Sequence, residues 1–321
     1  METVRVARQA MGSRFEVVLR GDDPVRLRAS AEEALDEINA LDEQLSTYKE
    51  TSELSLINAR AADGPVQVEP TLFALLQRIE KIHRGTHGAF DPTVGPLMAT
   101  WGFVFGTGEL PDSDKLQHAR SITGMDKVEL DPARRTIRFR KKGMTFDLGG
   151  VGKGYALEEA TRVLRDVGIE HGLIHGGTST VCAIGDDGEG KPWNIAIPYP
   201  ETGIDLTKET DKVLSVVGLK DEALSVSAIR GKAFEANGRV YGHVLDPRAG
   251  EPVQGAHLAA VVHPHGTEAD ALSTAMLVLG EDGPALIRSG WPEARFLAVL
   301  DERNKQGVRI LHHGLPLEPA E

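Results

Sequence analysis

Three short segments carry side chains whose types and spacing suit work on a phosphate group. In Glu268-Ala269-Asp270-Ala271-Leu272-Ser273-Thr274-Ala275, Asp270 and Thr274 stand at i and i+4. On a helix this places both oxygens on one face, with Ser273 beside them. One carboxylate with neighbouring hydroxyls is a hard-oxygen set suited to Mg²⁺, which takes one or two carboxylates and leaves its other positions to water and phosphate. Taken alone, Asp270 reads more readily as the cap of a helix N-terminus. The second segment is Phe146-Asp147-Leu148-Gly149-Gly150-Val151-Gly152-Lys153-Gly154-Tyr155. Its glycines let the backbone approach an anion, the first amides of a following helix would face that anion, and Lys153 adds a mobile positive charge. Gly154 stands where a Walker A loop needs Ser or Thr, and the glycine spacing is not that of a Rossmann fingerprint. A strand-to-helix turn without a ligand accounts for such a loop in isolation. In the third segment, His243 sits in strand-like residues beside the Asp246-Pro247-x-x-Gly250 turn. An imidazole there can act as a base or bind phosphate, although a lone histidine more often packs or faces solvent.

Two further segments offer flat surfaces. Proline, glycine and aromatics from His87-Gly88-Ala89-Phe90-Asp91-Pro92 to Leu97, with Trp101-Gly102-Phe103, make a rigid loop that suits the wall of an aromatic ring or an ordinary crossover. Tyr48, one of 4 tyrosines, is a candidate for stacking on a flat ligand.

The elements that must position these residues follow from hydrophobic period. Val4 to Leu19 reads as strand, and Leu27 to Leu45 as one face of a long helix. A second helix runs through Leu72, Leu75, Leu76, Ile79 and Ile82 toward a cap at Gly85, and polar residues 106–121 read as a loop. Ile137 and Phe139 alternate as a strand before the glycine-rich loop. After the loop, Ala156, Leu157, Ala160, Val163, Leu164 and Val167 recur at helical spacing, with Gly168 at the C-terminal cap. Strands are expected at Gly172 to His175, Trp193 to Ile197 and His257 to His263, helices at Asp270 to Leu279 and Gly283 to Ser289, and a hairpin over Arg295 to Leu311 turning at Asn304 to Gly307. Residues 201–222 read as a polar insertion and 315–321 as a frayed end. Strands and helices mix without regular alternation, which argues against a simple doubly wound sheet.

At 321 residues the chain suffices for one large or two intermediate domains. A net charge of -12 opposes a general nucleic-acid binder, so no nucleic-acid partner is expected. The single cysteine, Cys182, lies in an apolar stretch, excludes internal disulfides and reads as a buried inert thiol. No apolar run is long enough for a membrane span, and Met1 to Arg20 lacks a basic segment followed by an apolar one. The expectation is a cytoplasmic protein as written, or a periplasmic one if an N-terminal leader is missing.

In order along the chain, Met11-Gly12-Ser13, Ser46-Thr47-Tyr48 to Asn58, Phe90-Asp91-Pro92 to Leu97, Asp147 to Tyr155, Gly176-Gly177, His243 to Pro247 with Gly250, and Ala269 to Thr274 with Gly280 resemble the ApbE family of FAD:protein FMN transferases. Seven motifs in the family's order make the resemblance specific. It implies an α+β, T-fold-related architecture of mixed sheets with flanking helices, one domain over residues 1–321 in two lobes, and an active site in the cleft between them. It also implies FAD as substrate, Mg²⁺ on its pyrophosphate, transfer of FMN to a Thr or Ser hydroxyl of an acceptor flavoprotein, and release of AMP. Met11, Tyr48, Ala89, Phe90, Asp91, Asp147, Lys153, His243 and Val244 would then contact FAD. Gly150, through its carbonyl, Asp270 and Thr274 would hold the metal, with Ser273 close by. His243 or Asp270 would take the acceptor proton, and His243 is preferred because a metal-bound carboxylate is a poor base. An FAD pyrophosphatase giving FMN and AMP, and a non-catalytic FAD-binding paralogue, are the alternatives. One departure stands out: the family often has Thr-Ser-Gly and an aromatic upstream of the histidine, where this chain has Val226-Ser227-Ala228, Ile229 and Arg230. Alanine does not readily take positive φ, so either the backbone differs or no glycine is required there.

Overall fold

The computed structural model describes residues 1–200, 213–229, 231–302 and 307–317. The chain opens as a hairpin, β1 (Glu2–Ala10) and β2 (Ser13–Gly21), rather than the single strand expected from Val4 to Leu19. The reversal falls on Met11 and Gly12, with φ of 48° and 68°, the two left-handed residues that a tight two-residue hairpin turn requires. The buried positions move from Val4, Val6 and Ala10 to Phe15, Val17 and Leu19, and this change of phase is the trace of the turn.

Helix α1 (Pro24–Leu45) starts where the Asp23 carboxylate accepts from the Val25 and Arg26 amides, and it buries the expected stripe from Leu27 to Leu45. Then come α2 (Glu53–Arg60), β3 (Val66–Gln67), α3 (Pro70–Gly85) and α4 (Gly95–Thr100). Gly85 is the last residue of α3, with Thr86 at the cap. Residues 106–121 are not all loop: α5 (Ser113–Ser121) is capped by Asp112 but buries only Ala119, too thin a stripe to show as a period. Strands β4 (Val128–Asp131) and β5 (Thr136–Phe139) form a small sheet with β3. Helix α6 (Gly152–Asp166) follows the glycine-rich loop, and Gly168 beyond it has φ 78°.

Strands β6 (Gly172–Gly176), β7 (Thr180–Ile184), β8 (Trp193–Pro198) and β9 (Val213–Leu219) come next. β9 corrects the reading of 201–222 as an insertion, because it pairs with β8; residues 201–212 lie outside the described residues. After β10 (Ala223–Ala228), two short hairpins are made by β11 (Ala233–Ala236) with β12 (Arg239–Gly242) and by β13 (Leu245–Asp246) with β14 (Glu251–Pro252). The chain continues through β15 (Ala256–His263), α7 (Gly266–Leu279), α8 (Gly283–Gly290), β16 (Arg295–Asp301) and β17 (Val308–His313). The final hairpin is as expected; positions 304–306 of its predicted turn lie outside the described residues. The end is not frayed at Leu315, which is 3% exposed in the core, while 318–321 lie outside the described residues.

Eight strands form one sheet in the order β1-β2-β6-β7-β10-β15-β16-β17, each pair antiparallel. Helices α1, α6 and α7 cover one face over the larger core, and the β8–β9 hairpin covers part of the other over Leu214, Val217, Leu258 and Leu297. A third cluster, Leu97, Trp101, Phe103, Ala119 and Leu245, lies beneath the short hairpins. The absence of alternating crossovers agrees with the expectation against a doubly wound sheet.

The N-terminal turns of α6 and α7 meet backbone to backbone. A Cβ on Gly154 would lie 2.2 Å from the Gly266 carbonyl oxygen and 2.5 Å from Asp270 Cβ, and one on Gly266 would lie 2.5 Å from the Gly154 oxygen. Arg78 of α3 ties both helices down, pairing with Glu158 of α6 (Nη1–Oε1 2.8 Å) and Glu268 of α7 (Nε–Oε1 2.6 Å). Glu158 Oε2 in turn accepts from the Thr267 amide and hydroxyl at the start of α7 (2.9 and 2.7 Å). Alanine in a helix interior ordinarily gains about 1 kcal/mol over glycine. At Gly154 the clash with backbone outweighs that gain, so Gly154→Ala is expected to lose about 1–3 kcal/mol. A thermal unfolding midpoint equal to that of the parent would refute this account.

Candidate active site

A cleft of ≈ 1240 Å³ opens at the ends of the central strands, above the roughly 300–1,000 Å³ usual for a small-molecule site and of a size that suits a dinucleotide. It gathers Tyr48, Ala89, Phe90, Asp91, Asp147, Gly150, Lys153, His243, Val244, Asp270 and Thr274 from segments far apart in the chain. Met11 and Ser273 are not in its walls. Met11 packs on the core from the β1–β2 turn, and Ser273 is fully buried behind Asp270.

Asp270 does not cap a helix, since α7 begins at Gly266 with His265 at the cap. Its carboxylate accepts from the Gly154 amide (2.9 Å) and the Ser225 hydroxyl (2.8 Å). Each oxygen keeps lone-pair capacity after one such bond. A chain of hydroxyls continues from it: Ser273 reaches the Asp270 carbonyl (2.9 Å) and Ser227 (2.7 Å), and Ser227 reaches Thr274 (3.2 Å). Carboxylate and carbonyl only accept, so Ser225 and Ser273 donate toward Asp270 and Ser227 can donate to Ser273, while the Thr274 hydroxyl has Ser227 (3.2 Å) and the Asp270 carbonyl (3.4 Å) as partners. Thr274 Oγ1 lies 3.2 Å from where a Cβ on Gly150 would sit, so glycine is what lets the two segments meet. Among the described residues no three His, Cys, Asp or Glu side chains cluster as a metal site. What Asp270, Thr274 and the Gly150 carbonyl offer is an oxygen-only set with one charge, which fits a hard divalent ion completed by water and phosphate rather than zinc or copper.

The glycine-rich loop differs from the amide cradle expected of it. The Gly149 amide donates to Asp147 Oδ1 (2.7 Å), Val151 and Gly152 to the Leu148 carbonyl, and Gly154 to Asp270. These donors are spent on shaping the loop, and the Lys153 side chain is the part of it that brings positive charge to the cleft. Burial pushes the Asp147 carboxyl up, against the Gly149 amide and the charges of Lys232 and His243. Burial, reinforced by Asp147, pushes the Tyr48 phenol up as well. Tyr48 is 59% exposed at the rim and meets Phe105 edge-on, ring centroids 6.0 Å apart. The Asp91 carboxylate is engaged within the protein, accepting from the Thr93 amide and hydroxyl (2.8 and 2.6 Å) and the Met125 amide (3.2 Å). Beside it, Ala89 and Phe90 present the loop's apolar surface to the cleft.

His243 Nδ1 lies 3.2 Å from the Lys232 carbonyl. A carbonyl only accepts, so the neutral ring carries its proton on Nδ1 and presents Nε2 as an acceptor. Burial, with the charges of Lys232 and Lys153, holds the imidazole below its ordinary range, against the pull of the Lys232 carbonyl and of Asp147. A neutral imidazole whose Nε2 has no hydrogen-bond partner among the described residues is a base at neutral pH. Lys232 and Ser225 carry no expectation from sequence, and Ser227 enters there only within the Val226-Ser227-Ala228 departure. The two serines form the polar row of β10, a signal that was present, whereas an exposed lysine two residues past Arg230 carries none. Ala228 continues β10 opposite Leu258 without positive φ, so no glycine is required at the departure from the family pattern; Arg230 lies outside the described residues. Cys182 is buried and its thiol is pushed up by burial, as expected of an inert core cysteine.

An antiparallel sheet under helices, with a dinucleotide-sized cleft of oxygen donors, two lysines and a neutral histidine at its strand ends, defines an α+β protein equipped for phosphate chemistry. The sequence pattern of the ApbE family matches residues 11–297, and the chain belongs to this family. It is 30% identical over 294 residues to the FAD:protein FMN transferase of Haemophilus influenzae, covering 88% of this chain and 82% of the relative. Its structure is similar to the ApbE protein of Thermotoga maritima, with a TM-score of 0.85, 27% identity and 96% of each chain covered. It is also similar to the apo form of the Pseudomonas stutzeri flavinyl transferase ApbE, with a TM-score of 0.83, 28% identity and 98% of this chain and 95% of that one covered. The α+β, ApbE-type fold expected from the motifs is therefore the fold observed.

Replacing Lys232 by Met removes a positive charge and leaves the backbone carbonyl that holds Nδ1. The His243 titration followed by NMR is expected to move to higher pH in Lys232→Met, and an unmoved midpoint would mean that this charge does not act on the ring.

Proposed function

We propose that this chain is an FAD:protein FMN transferase whose substrate cleft lies between the half carrying Tyr48 and Asp91 and the half carrying Asp147 and Asp270, within one domain over residues 1–321. FMN passes from FAD to a Thr or Ser hydroxyl of an acceptor flavoprotein, and AMP leaves. One observation carries the reading: His243, neutral with Nε2 open, shares a cleft with the oxygen set of Gly150, Asp270 and Thr274. The names of the relatives point the same way.

The acceptor oxygen attacks the phosphorus of the FMN half, the bond from that phosphorus to the bridging oxygen breaks, and the bridging oxygen departs on AMP. His243 Nε2 takes the proton that the hydroxyl gives up. Lys153 and Lys232 bring positive charge to the cleft where negative charge grows on the pyrophosphate. Tyr48 and Phe90 offer aromatic surface to the ring system, and Ala89, Asp91 and Val244 complete the wall around it. Asp270, Thr274 and Gly150 would hold Mg²⁺, which when bound supplies charge neutralisation at the pyrophosphate. Asp270 is less suited than His243 as the base, because both its oxygens already accept protein hydrogen bonds and the same carboxylate is the metal set's only charge.

Incubation with FAD, Mg²⁺ and an acceptor domain should add the mass of one FMN to the acceptor and release AMP. Free FMN and AMP with an unmodified acceptor would assign the cleft to a pyrophosphatase, and unchanged FAD to a binding paralogue. Asp270→Ala is expected to abolish turnover and to lose about 1–3 kcal/mol of stability, because the Gly154 amide and Ser225 hydroxyl are left without their acceptor. Turnover that survives this substitution would remove Asp270 from the metal set.

A further inference from the structure

Lys232 and His243 are the two residues that flank the β11–β12 hairpin, and the His243 amide and Nδ1 both reach the Lys232 carbonyl (3.0 and 3.2 Å). The imidazole is therefore carried on the base of a hairpin that belongs to no larger sheet. An isolated two-stranded hairpin is marginal in water, so its placement must come from what it packs on. On one face, Phe234 and Tyr241 are cross-strand partners with rings stacked at 5.2 Å and 18°. Tyr241 stacks in turn on Trp101 at 5.6 Å and 29°, and Phe234 meets Phe103 at 5.9 Å. Trp101 is buried, and its indole donates to the Gly250 carbonyl at 2.8 Å. Gly108, at φ 109°, closes over this stack where a Cβ would come within 2.4 Å of Phe234. On the opposite face Val240 is exposed, Gln254 Nε2 donates to the Val240 carbonyl (3.2 Å), and at the base Gly242 packs on Ile229, where a Cβ would lie 2.5 Å from its carbonyl oxygen, so that face has no aromatic support among the described residues. Neither Phe234 nor Tyr241 is part of the cleft wall.

We infer that Phe234 and Tyr241, stacked on Trp101 and Phe103, are positioning residues that hold His243 at the cleft without touching substrate. This rests on the reading of His243 as the proton acceptor. Loosening the stack frees the hairpin base and hydrates the ring. The charged groups that face His243 are Lys232 on its own hairpin and Lys153 and Asp147 from the glycine-rich loop, and none of them is substituted in the variants below.

The test uses the full chain with Tyr241→Ala, Phe234→Ala and the conservative Tyr241→Phe. Misplacement of a reacting group by about 1 Å costs roughly 10²-fold in rate. Both alanine variants are therefore expected to lose kcat on that order while KM for FAD stays within about twofold, since neither Phe234 nor Tyr241 lines the cleft. In the resting protein, NMR should show the His243 titration rising toward the ordinary 6.5 of a hydrated imidazole. Tyr241→Phe, which keeps the ring, should retain parental kcat and titration. Unchanged kcat and titration in both alanine variants overturn the inference, as does an equal loss in Tyr241→Phe, which would place the phenol on the substrate. If His243→Ala keeps full turnover, the base assignment fails instead, and the titration in the resting variants still reports whether the stack positions the ring.

Discussion

The contact between the first turns of α6 and α7 is the constraint on which the site depends. Two backbones meet at Gly154 and Gly266, and no side chain larger than hydrogen fits at either point. That approach lets Asp270 accept from the Gly154 amide, so a loop and a helix 116 residues apart share one hydrogen bond. The buried bond shapes the glycine-rich loop and orients the carboxylate at once. Arg78, between Glu158 and Glu268, keeps the two helices from sliding apart, and its guanidinium is held charged by both carboxylates. Gly154 thus answers to the packing of a neighbouring helix, and under the proposed function it is Thr274 of that helix that would supply the hydroxyl a Walker loop carries after its lysine.

Electrostatics within the cleft follow from burial rather than from overall charge. The chain carries -12, yet the cleft brings together Lys153, Lys232 and His243 with Asp147 and Asp270. Burial and two lysines keep His243 neutral, and a backbone carbonyl selects the tautomer that leaves Nε2 free. On the other wall the acceptor-only oxygens of Asp270 set the direction of a hydroxyl chain that runs through Ser273 and Ser227 to Thr274. One wall therefore offers a neutral imidazole and the other a set of oxygens, and the lysines and Ser227 that tune them line the cleft as well.

The central sheet supplies rigidity, and the less regular pieces supply the chemistry. The central strands place Ser227 and the β6–β7 turn at the cleft, with Ser225 buried beneath Asp270, because sheet register leaves little freedom there. His243 instead depends on a small hairpin whose aromatic face finds its partners in the loop after α4. That loop also carries Phe105 to the rim beside Tyr48, so the wall that bears the histidine and the wall that bears the exposed tyrosine are built on one connection.

Much of this was legible in the chain. Apolar stripes at helical spacing located α1, α3 and α6, since burial of one face imposes that period. The i, i+4 pair of Asp270 and Thr274 and the ordered motifs announced the family and its fold. Where local signals were weak, the reading failed for identifiable reasons. Helix α5 buries a single residue, β9 carries an apolar strand signal that the polar residues on either side of it conceal, and the β1–β2 turn preserves alternation while shifting its phase. Tertiary structure alone decided that the Gly154 amide is consumed by Asp270, that Met125 joins Thr93 on the Asp91 carboxylate, and that Lys232 stands beside His243. Sequence specifies which groups are available, but a hydrogen bond and a shifted pKa depend on distances between segments remote along the chain, and only packing sets those distances.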